Sequence, residues 1–322
     1  MAVDWWTLSD LCTPWCVHVA ATLRVADYIA AGKTEIGKLA TACSADRESL
    51  LRVLRHLVSK DVFEEPEPGR FALNDAARAL IAGRLGFDLE GFGGRMAHAW
   101  GTLLSAVRTG RPAYHEIFGR PFWEDLEAHP EIAADFDAMM GPEGHGRSDP
   151  EVLLDPNDWN SIRTVVDVGG GTGALLAELL RERPALHGAL LDLPRTVARA
   201  ATIFDGIMDR VTFNGQSFFD PLPAGADLYL LKRVLNDWPD AEATAILRRC
   251  AEAARPSGRV VLLSGVTPDD DPSPNLLMMV LVGGKDRTLT EFRELAREAG
   301  LAVTRSGHQP SGRFIVECRP TG

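Results

Sequence analysis

Little in this sequence suits export, a membrane or a nucleic acid. Cysteine is scarce: the 322 residues hold five, Cys12, Cys16, Cys43, Cys250 and Cys318, an odd number without paired spacing. They read as reduced thiols, which excludes a disulfide scaffold and points to the cytoplasm. Cys12 and Cys16 are one helical turn apart, a spacing that suits packing, and no metal site is expected. Positive charge is in deficit. A formal net charge of −11 argues against a nucleic-acid partner, which needs a basic face. No run approaches the roughly 18 apolar residues that a membrane span requires. Asp4, Thr7, Ser9 and Asp10 interrupt the early apolar residues, so no secretory leader is read. Repeats and low-complexity segments are also missing.

What is present suits a globular protein of about two domains. Hydrophobic residues make up 45% and charged residues 25%, ordinary values for such a chain. Apolar residues recur at helical spacing over 8–31 and again through Leu39, Leu50, Leu54 and Leu57, so this segment is read as helical. A short strand at 62–64, a turn at Pro66 to Gly69 and a second strand at 70–73 follow. Three helices and a two-stranded wing resemble a winged helix. The acidic turn, Glu64-Glu65-Pro66-Glu67-Pro68, sets DNA binding aside and leaves dimerisation as its use, with Trp5 and Trp6 as exposed apolar surface that needs burial. Residues 1–94 are therefore assigned to a dimerisation domain.

Residues 95–160 read as a helical connector rich in Met and aromatic residues. Most are core. Trp100, Phe136, Met139 and Met140, with Met279 further on, are the candidates for lining a pocket, because such side chains adapt to flat apolar ligands. Gly141 to Pro150 breaks the helical pattern.

From residue 161 strands and helices alternate. Strands are expected near 164–168, 188–192, 211–214, 227–231, 259–264, 301–306 and 313–318. Helices are expected near 174–183, 195–204, 240–254 and 289–299. That is an α/β doubly wound sheet of Rossmann-like type. The last two strands are close enough to pair as an antiparallel hairpin, a feature that the usual dinucleotide-binding sheet lacks.

Val165-Val166-Asp167-Val168-Gly169-Gly170-Gly171-Thr172-Gly173, followed by a helix-forming run from Ala174, is strand, tight turn, helix. Glycines allow a sharp turn and close backbone approach, and the helix start offers free N–H groups, so a nucleotide-like cofactor belongs here. Gly169-x-Gly171-x-x-Ala174 also fits the dinucleotide fingerprint, and the loop alone leaves NAD open. The strand from Gly188 ends in Asp192, a carboxylate able to accept both ribose hydroxyls of either cofactor. The spacing from Asp167 to Gly173 resembles the first motif of class I methyltransferases, and the reversed last strand favours S-adenosylmethionine.

Several runs in order carry a more specific resemblance. They are Thr22 to Asp27, Phe122 to Leu126, Val165 to Gly173, Leu191 to Pro194, Ser217 to Pro223, Leu231 to Trp238, Ile246 to Cys250 and Gly283 to Thr288. The chain resembles the small-molecule O-methyltransferases of the plant caffeate and actinobacterial aromatic polyketide and naphthoate type, over nearly its whole length. The resemblance implies a class I methyltransferase domain over 161–322, with a seven-stranded sheet and an antiparallel last strand. It also implies a homodimer through the N-terminal domain, a small aromatic substrate, S-adenosylmethionine as cofactor and S-adenosylhomocysteine as product. The loop residues Asp167, Gly169, Gly171 and Gly173 would hold the methionine part of the cofactor. Asp192 and Leu193 would meet the ribose, Ser217 and Phe218 the adenine, and Lys232 would lie on the far side.

The catalytic positions depart from that family. Its Val-Leu-His-Asp-Trp segment, whose His is the general base, reads Val234-Leu235-Asn236-Asp237-Trp238 here. Asn takes up no proton at any useful pH. Ser264 stands where the family has the acidic partner, and Asn275 is aligned with a second acid. Three accounts compete. Methyl transfer could proceed by proximity and orientation. The fold could bind the cofactor and perform non-methylating chemistry. Or a substitute base could come from His98, His115 or His145, with His145 the best placed in its glycine-flanked loop, or from Asp237.

Overall fold

The computed structural model describes residues 4–141 and 150–321. Two compact units result: one runs to Gly101 and takes in Glu131–Asp135, and the other holds Thr102–Pro130 and everything from Phe136 onward.

The first unit is helical with one small hairpin. Asp46 starts its longest helix, Arg47–Val58, by accepting the Ser49 N–H at 2.8 Å. Leu50, Leu54 and Leu57 lie along one face of that helix and are all but fully buried, beside Leu39, Phe63 and Phe71. The helical stretch expected over 8–31 is three helices, Trp5–Leu8, Cys12–Thr22 and Val25–Ala30. It breaks at Asp10, whose carboxylate accepts the Cys12 and Thr13 N–H groups, and again at Arg24, whose φ is +53°. Trp5 and Trp6 are 74% and 88% exposed, as the sequence suggests. The Cys12 and Cys16 sulfurs are 3.9 Å apart, a ring nitrogen of His56 lies within 4.8 Å of both, and burial pushes the Cys16 thiol up to about 11. The wing strands are β1 (Glu64–Glu67) and β2 (Arg70–Ala72), antiparallel. The first is displaced from the expected 62–64. Phe63 is drawn into the core instead, and Pro66 is tolerated because a two-stranded ribbon has only edges.

The second unit is built on a seven-stranded sheet. Its strands are β3 (Thr164–Val168), β4 (His187–Asp192), β5 (Val211–Gly215), β6 (Leu228–Leu231), β7 (Arg259–Leu262), β10 (Leu301–His308) and β11 (Phe314–Pro320). A separate parallel pair, β8 (Val266–Thr267) and β9 (Arg287–Thr288), was not legible in the sequence. The order across the sheet is β10-β11-β7-β6-β3-β4-β5. β11 pairs antiparallel with both β7 and β10, and the other pairings are parallel. Alternate residues feed two cores: Val166, Tyr229 and Val260 on one face, Val165, Leu228 and Val261 on the other. Strand order reverses beside β3, and the carboxyl ends of the strands at such a switch point are where open α/β sheets bind ligands. The helix expected over 195–204 is split into Pro194–Val197 and a 3₁₀ turn, Ala201–Phe204. Phe204 is fully buried against Phe213 and under Gly173, and this packing overrides local helix propensity.

Candidate active site

Glycine is required in the loop after β3 for two reasons. Gly169, Gly171 and Gly173 have φ of +67°, +60° and +86°. A Cβ on Gly169 would come within 2.8 Å of Val234 Cγ2, and one on Gly173 within 2.5 Å of the Phe204 ring. Gly171 differs: nothing lies within 4 Å of where its Cβ would be, so its backbone faces open space. The Gly169 N–H bonds the Leu191 carbonyl at 2.8 Å, which ties the loop to the end of β4.

Asp192 ends β4 and accepts the Gly171 N–H at 2.8 Å and the Leu193 N–H at 2.7 Å. Burial still raises its carboxyl above the ordinary range, against the pull of those two donors. Asp167 is 1% exposed, and neither carboxylate oxygen has a hydrogen-bond partner. Burial pushes it up to about 7, with the Lys232 charge opposing and the Asp192 charge adding. Lys232, one residue past β6, is shifted down by burial and by the Arg313 charge, with Asp167 opposing. A buried carboxylate with open acceptor sites, beside a loop whose backbone faces space, fits the cationic methionine end of S-adenosylmethionine. The residues expected to hold that cofactor are therefore gathered in one place. Phe218 joins them, 3.5 Å from the position of a Cβ on Gly169, and Ser217 Oγ accepts the Phe219 N–H at 3.2 Å.

The Asn236 turn is next to this loop, joined to it through Val234. Leu235–Asp237 is a single 3₁₀ turn. The Asn236 side chain donates from Nδ2 to Asp237 Oδ1 at 2.8 Å, and its Oδ1 is buried with no partner. Burial pushes Asp237 up to about 8, the Arg233 charge opposing and the Asp286 charge adding. The Ser264 Oγ accepts the Arg233 N–H at 3.0 Å, and Gly265, its neighbour, lies beneath the Asn236 carboxamide. Asn236 and Ser264 are thus brought together. Asn275 is placed otherwise: it precedes the helix Leu276–Leu281 at φ +36°, without a side-chain capping bond. Met279 is on that helix, half-buried.

Aromatic rings close the neighbourhood. Trp238 stands edge-on to Phe218 and Phe219 and is stacked with Trp123 at 6.2 Å. Trp123 also packs on Phe136, and its indole N–H is buried without a partner. Phe136, Met139 and Met140 are on the helix Pro130–Met140, where Asp137 pairs with Arg199 and feels the charge of Asp192. Trp100 belongs to the first unit, as does His98, whose ring meets Trp15. His115 is exposed at the start of a four-residue helix. His145 lies outside the described residues.

Sequence reading assigned no role to Arg287. It is 0% exposed and donates to the carbonyls of Leu235 and Trp238, on either side of Asn236 and Asp237. Its position in the Gly283–Thr288 run was the available signal, but nothing in the sequence marks a charged residue as buried.

A family model described as the O-methyltransferase domain matches residues 100–302, and one described as the O-methyltransferase dimerisation domain matches residues 5–83. The chain belongs to the O-methyltransferase family. Membership makes it an S-adenosylmethionine-dependent methyltransferase and, through the dimerisation domain, a homodimer. Among its relatives is 2,7-dihydroxy-5-methyl-1-naphthoate 7-O-methyltransferase of Streptomyces carzinostaticus, 43% identical over 96% of this chain and 95% of that one. Aclacinomycin 10-hydroxylase RdmB of Streptomyces purpurascens is 38% identical over 92% of this chain and 83% of that one. A solved O-methyltransferase from neocarzinostatin biosynthesis, in complex with S-adenosylmethionine and 2-hydroxy-5-methyl naphthoic acid, superposes with a TM-score of 0.91 at 41% identity, covering 99% of each chain.

Proposed function

We propose that this enzyme transfers a methyl group to a hydroxyl of a small aromatic acid of the hydroxynaphthoate kind, and that no side chain acts as general base. The observation that carries this reading is the Asn236 carboxamide. Its nitrogen is held by Asp237, and its oxygen is buried and unpartnered, on a turn that meets the cofactor loop through Val234. An amide oxygen in that state accepts a hydrogen bond from an O–H and fixes the acceptor oxygen without removing its proton. S-adenosylmethionine, when bound, supplies an already activated methyl group on a positively charged sulfur. Orientation of the two reactants then provides the rate gain, and the hydroxyl proton leaves to solvent.

The remaining roles are assigned on the same ground. Asp192 holds the ribose hydroxyls, with Leu193 beside it. Asp167 and the Gly169, Gly171 and Gly173 backbone hold the methionine end, and Lys232 balances the buried Asp167 charge. Ser217 and Phe218 flank the adenine. Phe136, Met139 and Met140 of the 95–160 connector, with Met279, contact the flat aromatic ring. Ser264 positions the Arg233 backbone and takes no proton. We place the enzyme in the cytoplasm, where its five cysteines would stay reduced as the free thiols seen here.

The test is incubation with methyl-labelled S-adenosylmethionine and a panel of hydroxynaphthoates and hydroxybenzoates, read by mass spectrometry. A product carrying one labelled methyl ether is expected. An unlabelled product that has gained oxygen would overturn the reading in favour of the chemistry named for the hydroxylase relative.

A further inference from the structure

We propose that Arg287 is a positioning residue for methyl transfer: through a brace under the Leu235–Trp238 turn it fixes where the Asn236 carboxamide points. The inference rests on the role given to Asn236 above. A fully buried guanidinium is costly unless every donor is met. Here four of the five are met by hydrogen bonds, and the remaining one stands at ion-pair distance from Asp240. Nε donates to Asp240 Oδ1 at 2.9 Å. Nη1 donates to the Leu235 carbonyl at 2.9 Å and the Lys285 carbonyl at 3.3 Å. Nη2 donates to the Trp238 carbonyl at 2.8 Å and reaches Asp240 Oδ1 at 2.9 Å. The Leu235 and Trp238 carbonyls are the two ends of the turn whose middle residues are Asn236 and Asp237. One rigid planar fork therefore sets the width of that turn, and a lysine, with a single nitrogen, cannot hold both ends.

Two further contacts show that the brace bears on Asn236 in particular. Arg287 pairs with Val266 in the β8–β9 ladder, and its N–H bonds the Gly265 carbonyl at 3.0 Å. Gly265 is the residue under the carboxamide: a Cβ there would lie 3.4 Å from Asn236 Cβ and 3.5 Å from Oδ1. From the other side, a Cβ on Gly284 would come within 2.1 Å of the Asn236 carbonyl oxygen. Asn236 is gripped between Gly265 and Gly284, and Arg287 ties both segments to the turn. Such a fixed seat matters most when catalysis depends on orientation, where a displacement near 1 Å costs on the order of 10²-fold.

The test is a mutant cycle with a spectroscopic readout. Arg287→Lys is expected to lower kcat by about 10- to 100-fold at a temperature well below its Tm, with KM for S-adenosylmethionine changed less than about threefold. Asp240→Asn, at a half-exposed site, keeps the arginine but loosens its fork, and is expected to give a smaller fall of the same kind. In the Asn236→Ala background Arg287→Lys should lose most of its effect on kcat, because the carboxamide it positions is gone. In ¹⁵N-labelled protein both single variants should shift or broaden the Asn236 side-chain amide signal. Full multiplicative losses in the cycle, or an unmoved amide signal in both variants, would overturn the brace. If no methylation occurs, or Asn236→Ala leaves kcat unchanged, the reading of Asn236 fails, and the amide signal still decides whether Arg287 positions it.

Discussion

Replacing Asn236 with alanine separates a positioning amide from a catalytic base. The structure sets the size of the effect. The variant loses one neutral hydrogen bond from the acceptor hydroxyl to Oδ1, worth about 1 kcal/mol net. It also strips Asp237 Oδ1 of the Nδ2 donor now 2.8 Å away. Leaving that oxygen unmet costs up to about 2 kcal/mol, part of which loosens the turn. The sum is roughly 1–3 kcal/mol, or about 5- to 150-fold in kcat/KM. A true general base is worth about 10²–10⁴-fold and leaves its own pKa in the rate profile. The assay is kcat/KM for methylation between pH 6 and 9, with cofactor affinity by calorimetry and fold by circular dichroism. Wild type and variant should differ by a constant factor across that range. A fall above about 10⁴-fold with cofactor binding and fold intact, or loss of a titration step in the variant, would refute the reasoning.

Other sites give independent expectations. Asp192→Asn should weaken S-adenosylmethionine binding by roughly 10- to 100-fold in calorimetry, since hydrogen bonds to a charged acceptor are worth about 1.5–3 kcal/mol each; unchanged affinity would contradict its ribose role. Asp167 and Asp237 are pushed up to about 7 and about 8, so the folded chain holds those protons more tightly than the unfolded chain does. Their contribution to stability is full below the ordinary carboxylate pKa near 3.8 and is lost as pH rises to about 8. Asp237→Asn should therefore raise Tm more at pH 8 than at pH 5, and an equal change at both would argue against a buried neutral Asp237. Asp158, held down to about 2 first by its bond to Arg259, runs the other way: its contribution is lost as pH falls from about 4 toward 2.

Much of this was legible in the sequence because local geometry dictated it. Gly169, Gly171 and Gly173 need positive φ, and no other residue supplies that without strain, so the loop announced itself. Asp192 could be placed because it ends the short apolar run from Gly188 that follows the loop and its helix. The active site was half visible. Asn236 stood out because it breaks the resemblance, yet its orientation depends on Asp237, Gly265 and Gly284, which converge only on folding. Arg287 was invisible for the same reason: its acceptors at Leu235 and Trp238 are 52 and 49 residues away along the chain. The misplaced wing strand and the split helix after Pro194 have a common cause. In each, one phenylalanine, Phe63 or Phe204, is pulled into a core and shifts the local backbone out of the pattern its neighbours suggest.

The central claim, that Asn236 Oδ1 receives the hydroxyl that becomes methylated, is tested most directly by a crystal structure with S-adenosylhomocysteine and a hydroxynaphthoate that the enzyme methylates. The account predicts that hydroxyl within about 3 Å of Asn236 Oδ1 and facing the cofactor sulfur. A substrate whose reacting oxygen instead meets an ionisable side chain, with Asn236 left unpartnered, would contradict it.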